Sequence, residues 1–307
     1  MGHVLVFGSF VVDLMSRAPH LPVPGETVKG SMFKLGPGGK GFNQGVAAKK
    51  SGADMTMVTK IGRDTFGKVA LDVMHDLHID TRGIFYSEDR ETGCALIMVD
   101  ENTSQNAILV VSGACGTFTN DDIAAIEPMI ANASILLTQL EVNMDATEAV
   151  VAMAHRYGVK TILNTAPVQP VSDEMLQCVS MITPNEVEAE ILTGIPIDSE
   201  TNALRAADYF FKKGVGKVII TLGGRGVFVA AGSEHAIIPA FSVDVLDTTG
   251  AGDAFNGGLA TALSEGKDIF KACRFANAVA ALSVTRIGTA LSMPTRKEID
   301  EFLAIHR

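Results

Sequence analysis

The stretch Asp247-Thr-Thr-Gly-Ala-Gly-Asp253-Ala-Phe-Asn-Gly-Gly258 places glycines and acidic residues where a strand meets a helix. The apolar segment 241–246 predicts the strand, and the small residues that follow predict a helix to about Leu263. Residues 250–252 would present backbone N–H groups at the helix N-terminus, which favours a phosphoryl group. Asp253 is placed to take a proton from a hydroxyl nucleophile. An ordinary glycine-rich turn is the competing interpretation, and the acidic residues on both sides disfavour it.

Outward from this stretch, short apolar runs alternate with amphipathic segments. The runs typical of buried parallel strands are Val4–Phe7, Met55–Ile61, Ile135–Leu140, Thr161–Leu163 and Val218–Leu222. Helical spacing of apolar residues predicts helices over Asp145–Tyr157 and Ala203–Lys213, each followed by glycine. A capping box, Thr295 to Glu298, predicts the start of a last helix. The alternation predicts an α/β fold with a doubly wound, mainly parallel sheet flanked by helices.

Two segments, about 11–35 and about 89–112, break the alternation. The first contains three prolines and shows no helical pattern. The second predicts a β-hairpin, with strands over Gly93–Asp100 and Ala107–Val111. We expect these segments to form a small β-sheet that covers a site as a lid, within a single domain spanning 1–307.

Composition excludes several classes of protein. The chain has 307 residues, 25 Lys and Arg against 35 Asp and Glu, and a formal net charge of −10. Such a chain is a poor general binder of nucleic acid or of an anionic membrane surface. No apolar segment is long enough to cross a bilayer, and the N-terminus is typical of a first strand. The four cysteines form no CxxC motif, so we expect reduced thiols and a cytoplasmic location.

A second glycine-rich motif, Gly36-Pro-Gly-Gly-Lys-Gly-Phe-Asn-Gln44, contains a formal GxGxxG. We discount a dinucleotide site because the motif is outside the first βαβ turn and the next strand ends without an acidic residue. The motif is not a Walker A loop either, since Gly41 stands where Ser or Thr is required. Close approach of the backbone to a polyhydroxy ligand, with Lys40 and Asn43 as donors, is the better interpretation; a lid hinge is compatible with it.

Two weaker motifs indicate a nucleotide-binding site. Asn185 and Glu188 share one face of a predicted first helical turn, where they could hold Mg²⁺ waters beside phosphates. Acidic residues at a helix start are also favoured by the helix dipole, so this motif alone is weak. The segment Thr221-Leu-Gly-Gly-Arg-Gly226 predicts a glycine turn between two strands, suited to contact with a nucleotide backbone.

Together these motifs resemble the ribokinase family, also called the PfkB carbohydrate kinases. The Gly-Gly-Lys-Gly-x-Asn run at 38–43 is similar to the N-terminal signature of the family, and Asp247–Asp253 is similar to the C-terminal one. The resemblance covers essentially the whole chain. It implies a ribokinase-like fold, ATP as phosphoryl donor, Mg²⁺, activation by K⁺ and a homodimer formed through the lid.

The resemblance also implies roles for individual residues. Asp253 would be the base that deprotonates the sugar 5-hydroxyl, and Gly250, Ala251 and Gly252 would form the anion hole. The residues that would bind the sugar are Val11, Asp13, Gly39, Lys40, Asn43 and Glu141. The residues that would bind ATP are Asn185, Thr221, Gly223, Gly226 and Asn277. Glu188 would lie near Mg²⁺ through water, and the K⁺ positions would be Asp247, Thr249, Ser283, Arg286, Gly288 and Ser292.

The sugar end departs from the family pattern. Val11 stands where the family has an Asn that touches the sugar, and Cys115 replaces an Asn after the second lid hairpin. We expect Val11 at the end of the first strand, two residues before Asp13, so that both side chains point to the same side. Deoxyribose kinases of the family also carry an apolar residue at the Val11 position. The expected reaction is therefore 5-phosphorylation of a pentose, first D-ribose and second 2-deoxyribose. A catalytically silent sugar-binding regulatory protein is the alternative from another class.

Overall fold

The computed structural model describes residues 2–103 and 105–306. Its strands follow the apolar runs in the sequence. In the described part of the chain they are β1 (Val4–Phe7), β2 (Val11–Ala18), β3 (Met32–Gly38), β4 (Met55–Gly62), β5 (Ile84–Ser87), β6 (Thr92–Asp100), β7 (Asn106–Gly113), β8 (Ile135–Thr138), β9 (Lys160–Leu163), β10 (Met181–Ile182), β11 (Lys217–Thr221), β12 (Val227–Ala231) and β13 (Glu234–Ile238).

The α-helices lie between these strands and after them. Among the described residues they are α1 (Lys40–Lys50), α2 (Thr65–Asp76), α3 (Asn120–Ala125), α4 (Glu127–Ala131), α5 (Met144–Arg156), α6 (Asp173–Gln177), α7 (Glu186–Thr193), α8 (Glu200–Lys212), α9 (Ala251–Ser264), α10 (Ile269–Ser283) and α11 (Arg296–Ile305). The helices predicted over 145–157 and 203–213 are confirmed as α5 and α8. The capping box of Thr295 and Glu298 is formed at the start of α11. Within the described ranges, no helix is both long and apolar enough to span a membrane.

The large sheet has the order β13-β12-β11-β10-β9-β8-β1-β4-β5. Its strands are parallel from β11 to β5, and β12 and β13 add an antiparallel edge. The chain runs from β1 to β4 on one side, and β8 then lies on the other side of β1. The strand order therefore reverses at β1, and in open α/β sheets ligands bind outside the carboxyl ends of the strands at such a point.

A separate four-stranded sheet has the order β3-β2-β6-β7. Strand β2 follows β1 after three residues, and β3 ends one residue before α1, so this small sheet is joined directly to the reversal point. The predicted hairpin is confirmed as β6 and β7. Both segments expected to form a lid contribute strands to this sheet.

Two apolar clusters pack against opposite faces of the large sheet. In β1, Val4 and Val6 belong to one cluster and Leu5 and Phe7 to the other, and all four are fully buried. Burying one such side chain contributes about 1.5–3 kcal/mol. The two clusters thus fix the central strand, whose carboxyl end faces the candidate site.

Two predictions of local structure are wrong. The segment 241–246 is not a strand: Phe241 packs on the ring of Phe302 at 5.1 Å, and the Leu246 amide donates to the Val284 carbonyl at 2.8 Å. Phe241 thus packs on α11, Val245 and Leu246 line a cavity, and the segment pairs with no strand among the described residues. Val11 begins β2 and does not end the first strand, because the chain leaves the large sheet at Gly8.

Candidate active site

Two cavities lie at the carboxyl ends of the parallel strands, and part of the predicted site residues line them. They are Asp13, Asp247, Thr249 and Gly288 in one cavity, and Lys40, Asn185, Glu188, Thr221 and residues 250–253 in the other. The larger cavity, about 410 Å³, lies between the small sheet and the segments 245–249 and 287–291. The smaller, about 190 Å³, is lined by residues that follow β9 and β10, by the last residue of β11, by Lys40 of α1 and by the start of α9. Thr248 lines both cavities, so they meet at the start of the Thr-Gly-Ala-Gly-Asp turn.

The predicted anion-binding turn is formed at the start of α9. Gly250 is the N-cap with φ 78°, a left-handed conformation that favours glycine, and residues 250–253 line the smaller cavity. A Cβ on Gly257 would collide with the Gln44 carbonyl and the Ala47 side chain, so α9 packs directly on α1. This close approach brings Asp253 against side chains of α1.

Asp253 is 7% exposed, and its two carboxylate oxygens accept hydrogen bonds from neighbouring residues of α1. Asn43 Nδ2 donates to Oδ2 and Gln44 Nε2 donates to Oδ1, each at 3.0 Å. The Asn43 Oδ1 atom is buried and has no protein partner among the described residues. The two glycine motifs, more than 200 residues apart in sequence, thus form one site.

Gln44 connects Asp253 to the ends of two strands, a role that no motif in the sequence predicts. Its Nε2 also donates to Asn164 Oδ1 at 3.0 Å, after β9, and its Oε1 accepts from Gln139 Nε2 at 2.7 Å, after β8. Gln44 itself is fully buried. A polar residue directly after a buried strand is the signal that would have identified Gln139 and Asn164.

Charges at the site act on each other strongly. Burial raises the pKa of Asp253, while the Lys40 charge and the hydrogen bonds from Gln44 and Asn43 oppose the rise. Burial tends to lower the pKa of Lys40, but Asp253 and two glutamates outweigh it and raise that pKa. Lys40 is therefore a fixed cation beside the anion-binding turn, and Asp253 is a stronger base than an exposed aspartate.

Two further carboxylates lie on the sugar side predicted from the motifs. Glu141 Oε2 accepts from the Lys40 backbone amide at 2.8 Å and from the Ser9 hydroxyl, so it caps the start of α1. Asp13 lines the larger cavity and accepts from Thr289 Oγ1 at 3.3 Å. Burial raises the pKa of Asp13 to about 6, which the Thr289 hydrogen bond opposes and the charges of Glu141 and Asp253 reinforce.

Val11 lies two residues before Asp13 in β2, so both side chains point to one face of the small sheet. Gly38 is the strand partner of Val11. The Asp13 carboxyl occupies the space beside Gly38, so a Cβ atom on Gly38 would collide with that carboxyl. Val11 is buried in the same apolar cluster as Cys115. Val11 and Cys115, which stand where the family pattern has Asn, thus both belong to one apolar cluster. Gly39 is the N-cap of α1.

On the nucleotide side, the structure places Asn185 and Thr221 together as a bridge between the ends of neighbouring strands. Both line the smaller cavity with Glu188. Asn185 and Glu188 form a capping box for α7, and Thr165 Oγ1 also donates to Glu188 at 3.0 Å. Gly223 begins a short 3-10 turn between β11 and β12 and Gly226 follows it, so the predicted glycine turn is formed. Asn277 lines neither cavity: its amide donates to the carbonyls of Ile238 and Pro239.

The residue types fit the cations that the family pattern implies. Mg²⁺ commonly binds through one or two carboxylates together with phosphates and waters, and Glu188 supplies a carboxylate in the smaller cavity. Asp247 accepts backbone N–H groups of Thr249 at 2.9 Å and Gly288 at 3.0 Å, so its carboxylate joins the two loops expected to hold K⁺. Ser283 and Ser292 are buried and donate to backbone carbonyls. The Arg286 guanidinium pairs with Glu298, which leaves only its backbone for a cation.

A model of the pfkB family of carbohydrate kinases matches residues 1–296. The chain belongs to this family. It is 43% identical over 298 residues to the ribokinase of Haemophilus influenzae, covering 97% of each chain. It is 34% identical over 304 residues to the deoxyribokinase of Salmonella typhi, covering 99% of each. Among solved structures, Arabidopsis thaliana ribokinase complexed with ribose and ATP superposes with a TM-score of 0.91 at 30% identity, covering 98% of each chain.

Family membership confirms the resemblance drawn from the two glycine motifs. The expected ribokinase-like α/β fold is also confirmed, with its large, mostly parallel sheet and a separate four-stranded sheet. The chain is thus a carbohydrate kinase of the pfkB family. The roles of individual site residues remain predictions that the geometry now makes specific.

Proposed function

We propose that this pfkB kinase transfers the γ-phosphoryl group of ATP to the 5-hydroxyl of a pentose, with D-ribose as the first substrate. The observation that carries the proposal is the position of Asp253, a buried carboxylate in the anion-binding turn, held by Asn43 and Gln44. The relatives named as ribokinases, one of them with ribose and ATP bound, support the same substrates.

In the proposed mechanism, Asp253 accepts the proton of the sugar 5-hydroxyl as its oxygen attacks the γ-phosphorus. The bond from the γ-phosphorus to the bridging oxygen breaks, and ADP leaves. Backbone N–H groups of Gly250, Ala251 and Gly252 stabilise the charge on the transferred group, because a helix N-terminus offers unpaired donors. Lys40 adds a fixed positive charge beside them.

Sugar and nucleotide occupy opposite sides of Asp253 in this proposal. Asp13, Glu141 and the orphaned Asn43 oxygen accept hydroxyl hydrogens of the sugar, and Gly39 allows its close approach. Asn185, Thr221 and the turn from Gly223 to Gly226 contact ATP, and Asn277 shapes the adenine side through the carbonyls that it holds.

Two cations complete the proposed site. Mg²⁺, held through water by Glu188, would neutralise charge on the phosphates. K⁺ would lie between the Asp247–Thr249 turn and the loop that contains Ser283, Arg286, Gly288 and Ser292. Because Asp247 joins these loops, the cation would fix the geometry of the adjacent anion-binding turn.

We further propose a single domain over 1–307 whose small sheet acts as the lid and as a homodimer interface. One face of this sheet, here called the outer face, is exposed and apolar; it consists of Phe33, Leu35, Leu96, Met98, Leu109 and Val111. Contiguous exposed apolar patches of this kind mark protein–protein contacts. The four cysteines are free thiols, which suits the proposed cytoplasmic location.

A second candidate substrate, 2-deoxyribose, is favoured by Val11. A sugar hydroxyl that faces this side chain loses water without gaining a partner, at a cost of about 1–3 kcal/mol. A sugar that lacks the hydroxyl avoids this cost, so we expect relaxed discrimination and activity with both sugars. Val11→Asn should raise kcat/KM for ribose relative to deoxyribose; an unchanged ratio would show that Val11 does not set specificity.

The test of the proposed reaction is Asp253→Asn. We expect kcat for ribose to fall about 10²–10⁴-fold with little change in ATP affinity, because the variant lacks only the base. Near wild-type kcat would remove Asp253 from the mechanism. Absence of phosphoryl transfer by the wild-type protein to a panel of pentoses would favour the silent sugar-binding protein.

A further inference from the structure

Asn256 lies one helical turn after Asp253 in α9 and lines the smaller cavity. Its side chain is 1% exposed, and both ends of its amide have a partner. The Nδ2 atom donates to the Gly252 carbonyl at 2.9 Å, and the Oδ1 atom accepts from the Thr183 hydroxyl at 2.7 Å. Thr183 directly follows β10, so Asn256 joins the anion-binding turn to the carboxyl end of a strand of the large sheet.

The chemistry of the partners fixes the direction of these two hydrogen bonds. A backbone carbonyl can only accept, so the Asn256 atom that faces Gly252 must be the amide nitrogen. The oxygen of the same amide then faces Thr183, whose hydroxyl must donate to it. The other acceptor near that hydroxyl, the Leu163 carbonyl, is further away at 3.4 Å. The two side chains therefore connect β10 to one particular peptide group.

That peptide group carries a free donor of the anion-binding turn. The Gly252 carbonyl and the Asp253 N–H belong to the same planar unit and point in opposite directions. Within the part of the chain that the structure describes, the Asp253 N–H has no hydrogen-bond partner. A Cβ atom added to Gly252 would meet no atom within 4 Å, so the space on this side of the turn is open to a ligand.

The bond from Asn256 acts on this N–H in two ways. A hydrogen bond to the carbonyl polarises the peptide group, which strengthens its N–H as a donor. The same bond fixes the rotation of the peptide, and donors stabilise a developing charge best when they are oriented before the reaction. Both effects are largest when charge accumulates on the transferred group, and they therefore favour the transition state over bound ATP.

The contacts of Asn256 also close a ring of hydrogen bonds around the proposed base. Gln44 donates to the Asp253 carboxylate and to Asn164, whose Nδ2 atom donates to the Thr183 carbonyl at 3.1 Å. From Thr183 the ring returns through Asn256 to the peptide of Asp253. One half of the ring thus holds the carboxylate of the base, and the other half holds a backbone donor. Changes in the two halves should affect the kinetics differently.

We propose that Asn256 and Thr183 are positioning residues for phosphoryl transfer: Thr183 holds Asn256, and Asn256 orients the peptide between Gly252 and Asp253 toward the transferred group. The inference deepens the proposed function and rests on it, because the charge to be stabilised is that of the γ-phosphoryl group of ATP. Both residues act through the backbone. Among the described residues, neither donates a hydrogen bond to the Asp253 carboxylate.

The experiment measures kcat, the KM values for ATP and ribose, and the pH profile for Asn256→Leu, Thr183→Val and Thr183→Ser. Loss of a complete oxyanion donor lowers kcat about 10²–10³-fold. Loss of a group that orients such a donor should cost less: about 10–100-fold in Asn256→Leu and about 3–10-fold in Thr183→Val. Thr183→Ser keeps the hydroxyl and should recover most of the loss.

The other kinetic constants separate this role from general damage to the site. Both KM values should change less than about 3-fold, because the lost interaction belongs to the transition state. The acidic limb of the pH profile should stay in place, because the contacts of the Asp253 carboxylate are intact. The dissociation constant of ADP with Mg²⁺, aluminium fluoride and ribose, a mimic of the transferring phosphoryl group, should rise in Asn256→Leu by about the factor that kcat falls.

Thr261→Val is the matched control. Thr261 is fully buried in the same helix, and its hydroxyl donates to the Gly257 carbonyl, four residues earlier, at 2.8 Å. That carbonyl belongs to the middle of α9 and carries no donor of the turn. The control should lower the melting temperature and leave kcat unchanged, whereas an equal fall of kcat in Thr261→Val and Asn256→Leu would overturn the proposal.

Two further results decide whether Thr183 acts through Asn256. The double variant of Asn256→Leu and Thr183→Val should be no slower than Asn256→Leu, and a fall equal to the product of the two single effects would overturn the connection. Wild-type kcat in a folded Asn256→Leu protein, checked by thermal melting, would refute the role of Asn256. If that variant does not fold, equal kcat in Thr183→Val and Thr183→Ser refutes the proposal instead.

Failure of this inference is distinguishable from failure of the proposed function. Wild-type turnover of ribose stays intact if only the positioning role is wrong. Absence of phosphoryl transfer to any pentose by the wild-type protein would refute the proposed function first.

Discussion

Replacing Gln44 by Met tests how the protein holds its proposed base. The substitution keeps the length of the side chain and removes the Nε2 donor that lies 3.0 Å from Asp253 Oδ1. A hydrogen bond to a charged group contributes about 1.5–3 kcal/mol, and one pH unit corresponds to about 1.4 kcal/mol. The ionised form of Asp253 should therefore lose stability equivalent to about one to two pH units.

The sign of the effect follows from the contacts of Asp253. Burial raises its pKa, and the Gln44 hydrogen bond is among the interactions that limit the rise. Without that bond, the base stays protonated to higher pH. The acidic limb of kcat/KM for ribose should move to higher pH, so activity at a pH on the acidic side of the limb falls about 10–100-fold and recovers at higher pH.

The assay is a full pH profile of kcat/KM for wild type, Gln44→Met and Gln139→Met. The last variant is the matched control: Gln139 donates to Gln44 at 2.7 Å, lies one step further along the same chain of amides and does not contact Asp253. Both variants should lower the melting temperature, and only Gln44→Met should move the acidic limb. Equal limbs in all three proteins would refute the argument that Gln44 acts on the base.

Three other results are expected. Asp13→Asn should raise the free energy of unfolding at pH 7 by about 1–3 kcal/mol and weaken ribose binding. The pKa of Asp13 is about 6 in the folded protein and ordinarily 3.8, so ionisation of Asp13 destabilises the fold as pH rises between these values. A melting temperature at pH 7 that does not increase would contradict this. Turnover should be higher in K⁺ than in Na⁺ or Tris, with the K⁺ response lost in Asp247→Ala; equal rates in all three buffers would remove the cation. Leu109→Glu, on the outer face at 60% exposure, should convert a dimer to monomer in sedimentation, whereas Val23→Glu, also exposed, should not.

The sequence predicted the parts of the fold that depend on local patterns. The central strands, the start of α9 and the capping box of Thr295 and Glu298 all follow from apolar runs, glycine positions or side chains that cap a helix. The meeting of Asn43 with Asp253 could be predicted only from the resemblance of both motifs to one family. Their contact depends on the packing of α1 on α9, which no local pattern specifies.

Other features depend on tertiary contacts that compete with local preference. The segment 241–246 has the alternation of a strand, yet Phe241 packs on α11 and the segment pairs with no strand. In the sequence, Gln44 has no feature that distinguishes it from other helix residues. Its hydrogen bonds to Asp253, Asn164 and Gln139 form only because β8, β9 and α9 meet at this point.

A chain with a formal charge of −10 must bind an anionic nucleotide beside buried carboxylates, and the local arrangement explains how this is possible. The positive groups are concentrated at the proposed phosphate position: the N-terminus of α9 and the Lys40 side chain, whose pKa the nearby carboxylates raise. The Lys40 charge in turn opposes the rise in the pKa of Asp253, the proposed base. Removing the Lys40 charge would therefore weaken ATP binding and raise the pKa of Asp253 together, so this cation couples the affinity for the donor to the protonation of the base.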